Sequence, residues 1–116
     1  MSCKNRYEHL KIDCLEDVTS VPPQSTWYVT HGRKETIAIY TTQLDDGLWV
    51  YGYQVYWASG KVSEQRPTAA PGKFRSQREA SLYAIGFMLL YLDYFLAETR
   101  EDIMSAEATL MQPELF

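Results

Sequence analysis

Few side chains in this 116-residue chain are of the types that carry out catalysis or bind metals. Two cysteines, Cys3 and Cys14, lie near the N-terminus, with His9 between them and His31 further along. Zinc sites use ligands in close pairs, and this spacing matches no such pattern. Free cysteines are among the most frequently buried residues, so we interpret both as small buried thiols of a cytoplasmic protein. We therefore expect neither a metal nor another cofactor.

Asp93 is a further candidate for chemistry, because it is the single charged residue of the apolar segment 82–96. A carboxyl group in apolar surroundings can act as an acid or a base. Alternatively, it is hydrogen-bonded to a tyrosine or lies at the edge of a helix. The sequence contains no Gly-rich phosphate loop, HExxH motif or nucleophile elbow. A binding protein is therefore favoured over an enzyme.

A basic stretch is the clearest candidate for binding a charged partner. Between residues 60 and 78, only Glu64 opposes five cations, which are Lys61, Arg66, Lys73, Arg75 and Arg78. Beside a sheet edge and a helix N-terminus, such a segment can bind phosphate, since side-chain charge and helix dipole add. The alternative is an ordinary solvated loop. The net charge of −4 argues against a protein whose whole surface binds nucleic acid through charge alone.

Residues 26–57 have the pattern of a β-meander. Trp27–Val29 and Thr36–Thr42 are rich in aromatic and β-branched residues, which favour strands. Asp45-Asp46-Gly47 predicts a hairpin turn, because Asp-Gly accepts the positive φ angles of tight turns. A third strand is predicted from Leu48 to Trp57. Its odd positions form an aromatic stripe on one face, composed of Trp49, Tyr51, Tyr53, Val55 and Trp57. The stripe is expected to underlie a helix; the alternative is a stacking platform for single-stranded nucleic acid.

The C-terminal half is predicted to be helical. Ser76 and Glu79 match a capping box, which predicts one long helix from Gln77 to Glu98 and a kink or a second helix after it. Residues 82–96 are apolar on nearly every face but too short for a membrane span, which needs about 20 residues. Such a helix must be covered on a second side, either by the terminal segments of its own chain or by a second copy. Gly86 predicts the close approach of a neighbouring backbone.

These elements make up a single domain of residues 1–116. A short helix or irregular segment is predicted in residues 1–25, ending at Val21-Pro22-Pro23. It precedes the β-meander (26–57), the basic loop (58–75), the helices (76–111) and a tail (112–116). The expected fold is α+β, a three-stranded antiparallel β-meander covered by one long C-terminal α-helix, with short helical segments at both ends.

The tail, Gln112-Pro113-Glu114-Leu115-Phe116, resembles the short peptide by which many bacterial replication, repair and mobile-element proteins bind the DNA sliding clamp. The resemblance implies that Gln112 takes the polar subsite of the clamp, and that Leu115 and Phe116 fill its hydrophobic pocket. Pro113 departs from the leucine that is usual at that position. In the alternative interpretation, Leu115 and Phe116 pack back onto the apolar helix.

The run Asp45–Tyr53, followed by a loop and then by Phe74–Ala80 at a helix start, is similar to HicB-type antitoxin domains. The resemblance implies three strands and a helix, with an acidic-glycine hairpin and a Ser/Thr-x-x-Glu-Ala helix start. The inserted loop Ala58–Lys73 and the missing C-terminal DNA-binding helix pair depart from that family. The pattern concerns fold, and fold does not determine function.

The sequence thus predicts a non-enzymatic accessory protein of bacterial DNA metabolism or of a mobile element. It would act through protein contacts, with nucleic-acid binding by the basic loop and sliding-clamp binding by the tail. The alternative is a homodimeric protein–protein adaptor or antitoxin-like inhibitor, paired through the long helix and without a nucleic-acid role. A membrane is not among the expected partners.

Overall fold

The computed structural model describes residues 5–12, 20–30 and 32–112. Four strands form one antiparallel sheet in the order β1-β2-β3-β4. The elements in chain order are β1 (Ser25–Tyr28), β2 (Thr36–Gln43), β3 (Trp49–Tyr56), β4 (Val62–Thr68), α1 (Gln77–Leu90) and α2 (Ala97–Met111). The α+β class and the antiparallel sheet are confirmed. The two cysteines, His31 and residues 113–116 lie outside the described residues.

The hairpin between β2 and β3 has the turn that its sequence predicts. Gly47 has a φ of 86°, which an L side chain rarely adopts. The N–H of Leu44 donates to the carbonyl of Leu48 at 2.7 Å and closes the turn. Eight residue pairs follow in register, from Gln43 opposite Trp49 to Thr36 opposite Tyr56. The first strand begins at Ser25, two residues before the predicted start.

The predicted three-stranded meander is wrong in its number of strands, because part of the predicted loop 58–75 is β4. A tight turn at Gly60, with a φ of 92°, reverses the chain after β3. Tyr56 then pairs with Val62 and Tyr53 with Gln65, before the register shifts between Tyr53 and Tyr51. Since β4 is a polar edge strand, the hydrogen bonds from β3 stabilise it rather than its own strand propensity.

The predicted long helix is two helices. The chain leaves α1 at Tyr91, forms a 3-10 turn at Leu92–Tyr94 and starts α2 after the N-cap residue Leu96. The hydroxyl of Ser76 accepts a hydrogen bond from the N–H of Glu79 at 3.1 Å, which confirms the predicted cap. Glu79 Oε1 is buried without a hydrogen-bond partner among the described residues, so this oxygen does not form the reciprocal half of the box.

Its own chain covers α1 on both sides. The helix packs on β2 and β3 and also contacts α2 and the N-terminal 3-10 turn Glu8–Leu10. The Asn5 amide donates to the carbonyl of Tyr83 at 2.8 Å, and the Tyr83 hydroxyl donates to Glu8 at 2.9 Å. A Cβ on Gly86 would overlap Asn5 Oδ1, so the predicted close approach is made by a side chain rather than by backbone.

The aromatic stripe of β3 lies under α1, as expected. Tyr51 is buried, with its ring centroid 5.7 Å from that of Tyr83. Tyr53 contacts Phe87 with a centroid distance of 5.4 Å. Because α1 covers Tyr51 and Tyr53, the stacking-platform alternative is wrong for these two rings, whereas Trp57 at the end of the stripe is only partly buried.

The opposite face of the sheet is only partly covered. Residues 20–24 cross one end of it, where the N–H of Val21 donates to the carbonyl of Pro67 at 2.9 Å. Strand alternation places Tyr28, Tyr40 and Tyr56 together on the remainder, and we call these three residues the tyrosine face. Within the part of the chain that the structure describes, every helix is too short or too polar to cross a lipid bilayer.

Candidate functional site: an aromatic groove

Two adjoining cavities open at the end of the sheet where β3 turns into β4. The larger, of about 470 Å³, lies between this turn and the segment that links α1 to α2. The smaller, of about 230 Å³, reaches towards the core between β3 and α1. Trp57, Ser63 and Tyr91 line both cavities, so we treat them as one site and call it the ring groove.

A row of aromatic rings leads from the core to the mouth of the ring groove. The centroid of Tyr91 lies 5.1 Å from that of Phe87, in an edge-on arrangement. Tyr94 follows, with its centroid 6.2 Å from that of Tyr91. Tyr94 is 74% exposed, the highest value among the large hydrophobic residues described. The row therefore ends in a ring whose surface is available to a ligand.

Trp57 forms the opposite wall and is held in one orientation. Its indole stacks on Phe95, with centroids 4.6 Å apart and planes inclined by 14°. Its Nε1–H donates to the hydroxyl of Ser63 at 3.0 Å. Because both the ring plane and the indole N–H are fixed, this wall is formed before any ligand arrives.

Glu35 joins the two walls of the ring groove. Its carboxylate accepts hydrogen bonds from the N–H of Ala58 at 3.3 Å and from the N–H of Leu96 at 2.9 Å. Ala58 belongs to the β3–β4 turn, and Leu96 is the N-cap residue of α2. A negative charge at a helix N-terminus is favourable. Glu35 is only 2% exposed, so its role in the described structure is to hold the groove walls together.

Arg33 attaches the same loop to α2. Its guanidinium lies 3.1 Å from an Asp102 oxygen and 3.5 Å from a Glu98 oxygen. These two carboxylates raise the pKa of Arg33, the hydrogen bond to Asp102 having the larger effect. The loop that carries Glu35 is thereby fixed on two sides.

Two side chains of opposite charge, Lys61 and Glu35, line the ring groove. Lys61 lines it and has no ion pair among the described residues, whereas the Glu35 carboxylate is engaged with backbone N–H groups. Burial raises the pKa of Tyr53, and the neighbouring Tyr91 adds to this. Asp93 is exposed on the 3-10 turn and is not a lining residue. Among the described lining residues there is no histidine and no cysteine.

The five predicted cations do not form one patch. Lys61 lies at the ring groove, while Lys73 lies 3.0 Å from Asp46 at the far end of the sheet. The seven residues of β4 separate these two ends by roughly 20 Å. Arg75 is exposed at that far end, and Arg66 is exposed on the edge strand, within its register shift.

Arg78 and Gln112 both line a separate cavity of about 420 Å³, to which Trp27 also contributes. Gln112 is exposed and caps the C-terminus of α2. Leu115 and Phe116 lie outside the described residues, so neither interpretation of the tail is decided.

The ring groove depends on residues that the sequence patterns did not single out, namely Glu35, Ser63, Tyr91 and Tyr94. Tyr91 and Tyr94 lie in a stretch whose apolar pattern continues through the end of α1 without a Gly or Pro. Glu35 lies in a charged turn, where burial is not expected. The only sequence signal for this site was the Ser59-Gly60 turn, because a turn there returns the following residues alongside β3.

Comparison with known proteins finds no match to this chain, neither to a protein-family model, nor to a curated protein, nor to a solved structure.

Proposed function

We propose that this chain is a non-enzymatic binding protein and that the ring groove is its ligand site. The observation that carries the proposal is the exposed Tyr94 ring opposite the fixed Trp57 wall, with the cavity between them. Its volume of about 470 Å³ lies within the range of small-ligand sites, about 300–1,000 Å³. Aromatic lining with few polar groups is the usual composition of such sites.

The proposal of a non-catalytic role rests on the side chains at the groove. General acid–base catalysis needs a titratable group within hydrogen-bond reach of substrate. The groove carboxylate, Glu35, already accepts two backbone hydrogen bonds. Lys61 offers a positive charge, and the carboxylate among the lining residues is that of Glu35, which is engaged with backbone N–H groups. The arrangement supports attraction and stacking, not proton transfer.

Saturation-transfer NMR with indole as a probe tests the ligand site. Indole is expected to receive saturation from the wild-type protein, and this transfer should be lost in the Tyr94→Ala variant. Tyr56→Ala is the matched control, because Tyr56 is 46% exposed but lies on the tyrosine face. Equal transfer in wild type and in both variants would rule out the ring groove as the site.

We further propose that the protein serves bacterial DNA metabolism or a mobile element through its tail. The sequence Gln112–Phe116 supports this, and Gln112 is exposed at the end of α2. The test is a binding titration of the intact protein with a purified bacterial sliding clamp, repeated with Leu115 and Phe116 both changed to Ala. Saturable binding that the double change abolishes is expected. Absence of binding at micromolar concentration, together with a lower Tm of the double variant, would mean instead that the tail is structural.

The second candidate function is that of a homodimeric adaptor, and the exposure of the tyrosine face favours it. The long helix no longer motivates a dimer, since its own chain covers α1. Tyr28 and Tyr56 remain 55% and 46% exposed on the partly covered sheet face. Sedimentation equilibrium distinguishes the candidates: a dimer that Tyr28→Ser disrupts supports the adaptor, and a monomer at all concentrations contradicts it.

A further inference from the structure

We infer that the ring groove takes a nucleotide unit of single-stranded nucleic acid, with the base stacked on Tyr94 and a phosphate beside Lys61. This inference rests on the proposed ligand site and names the ligand class that fits it. Two features carry it: the exposed ring at the mouth of the groove and the cation that shares the same opening.

The ring row suits a flat, unpaired base. Tyr94 lies beside Tyr91, with ring planes inclined by 43°, and the neighbour of Tyr91 in turn is Phe87. A ring held by other rings can accept a further ring on its free side without rearrangement. Stacking of this kind does not require a particular base, since every base has a flat aromatic face. A base paired within a duplex is unavailable for it, so single strands are the expected form.

Lys61 places a positive charge at the opening of the larger cavity, where it attracts an anionic group, whereas the Glu35 carboxylate that lines the same cavity is only 2% exposed and accepts two backbone hydrogen bonds. Lys61 is exposed, lines the larger cavity and has no ion pair among the described residues. The turn that carries it is fixed, because the N–H of Trp57 donates to the Lys61 carbonyl at 2.8 Å. The compact ammonium group of lysine acts as a point charge for phosphate.

The ring groove fits a short stretch of single-stranded nucleic acid rather than a long one. The predicted cations Lys73 and Arg75 lie at the far end of the sheet, and the net charge of −4 repels an extended polyanion. Few phosphates should therefore be neutralised on binding. We expect a log–log slope of affinity against salt concentration of about −0.7, which is the value for one phosphate of a single strand.

Titration of tryptophan fluorescence with a dT10 oligonucleotide tests the inference, since Trp57 forms one wall of the groove. The control ligand is a ten-unit abasic strand that keeps the phosphates and lacks the bases. We expect saturable quenching by dT10 and at least about fivefold weaker binding of the abasic strand, since stacking carries the difference. Equal binding of the two strands would overturn the inference.

Four variants locate the contact. Tyr94→Ala is expected to weaken dT10 binding at least about fivefold, which is the lower range for loss of one stacked base. Lys61→Ala should weaken it and bring the salt slope close to zero. The controls are Tyr56→Ala and Arg75→Ala, which remove an exposed ring and an exposed cation elsewhere. Unchanged binding in Tyr94→Ala, or equal losses in the controls, would contradict the assignment.

The two titrations distinguish an error in the nucleic-acid inference from an error in the proposal that the ring groove binds a ligand. If indole binds in a Tyr94-dependent way but dT10 does not bind, the groove is a ligand site for another class, and a proline-rich peptide is then the next probe. If neither indole nor dT10 binds, the proposed site and the inference are both wrong.

Discussion

The carboxylate of Glu35 accepts a hydrogen bond from the backbone N–H of Leu96, 2.9 Å away and 61 residues further along the chain. Its second oxygen accepts from the N–H of Ala58. One buried side chain therefore ties the loop before β2 to the β3–β4 turn and to the start of α2. The shape of the ring groove depends on this link, because the turn and the helix start are its two walls.

We expect Glu35→Ala to lower the free energy of unfolding by about 1–3 kcal/mol, because two backbone N–H groups would lose their acceptor. Glu35→Gln keeps one amide oxygen and should lose less. Urea unfolding measures both. Glu64→Ala is the control, since Glu64 is exposed and such changes usually stay within about 0.5 kcal/mol. A Glu35→Ala protein as stable as the Glu64→Ala protein would contradict the role of the link.

Gly86→Ala tests how tightly the N-terminal segment packs on α1. The added Cβ would overlap Asn5 Oδ1 and lie 2.8 Å from the Tyr7 ring. Overpacking of this kind costs about 1–3 kcal/mol, more than the gain of up to about 1 kcal/mol from replacing a helical glycine. Thermal unfolding should therefore show a lower Tm. Asn5→Ala in the same chain removes one of the overlapping side chains, so the double variant should lose less than the sum of the two single changes. Strict additivity would argue against this packing.

Stability should fall in alkaline solution as the N-terminal contacts are lost. Burial and then Glu107 raise the pKa of Tyr7 from 10.0 to about 12, and burial and then Glu8 raise that of Tyr83 to about 12. Each hydroxyl donates to its carboxylate only while it is protonated. Because the folded-state pKa is the higher one, the stabilisation is complete below pH 10 and is lost as the pH rises through about 12.

Urea unfolding across this pH range checks the alkaline prediction. The free energy of unfolding should decline between pH 10 and pH 12, and Tyr7→Phe should reduce that decline. Tyr28→Phe is the control, because Tyr28 is exposed on the tyrosine face. A stability that is the same at both ends of the range would show that these hydroxyls do not couple to folding.

The sequence predicted the β2–β3 hairpin and the start of α1, because both are formed by contacts between residues that are close in sequence. Gly47 fixes the β2–β3 hairpin through its positive φ, and Ser76 starts α1 by accepting the N–H of Glu79. The period-two pattern of β3 placed its rings under a helix. The turn and the cap each depend on residues within a few positions of one another, where turn and cap chemistry is decisive.

The features that the sequence did not predict depend on contacts between distant segments. The strand β4 is polar and contains Pro67, and it exists because β3 pairs with it. The end of α1 at Leu90 has no breaker residue, and the reversal places Phe95 against Trp57. The ring groove could not be assembled from sequence alone, because its two walls come from separated segments that Glu35, in a third segment, joins.

The most direct test of the ring groove is an amide ¹H–¹⁵N chemical-shift map of the intact protein during titration with indole. We expect saturable shifts that cluster at Trp57, Lys61, Tyr91 and Tyr94, with the amides of the tyrosine face unchanged. Shifts centred on Tyr28, Tyr40 and Tyr56, or no shifts at all, would show that the ring groove is not the binding surface.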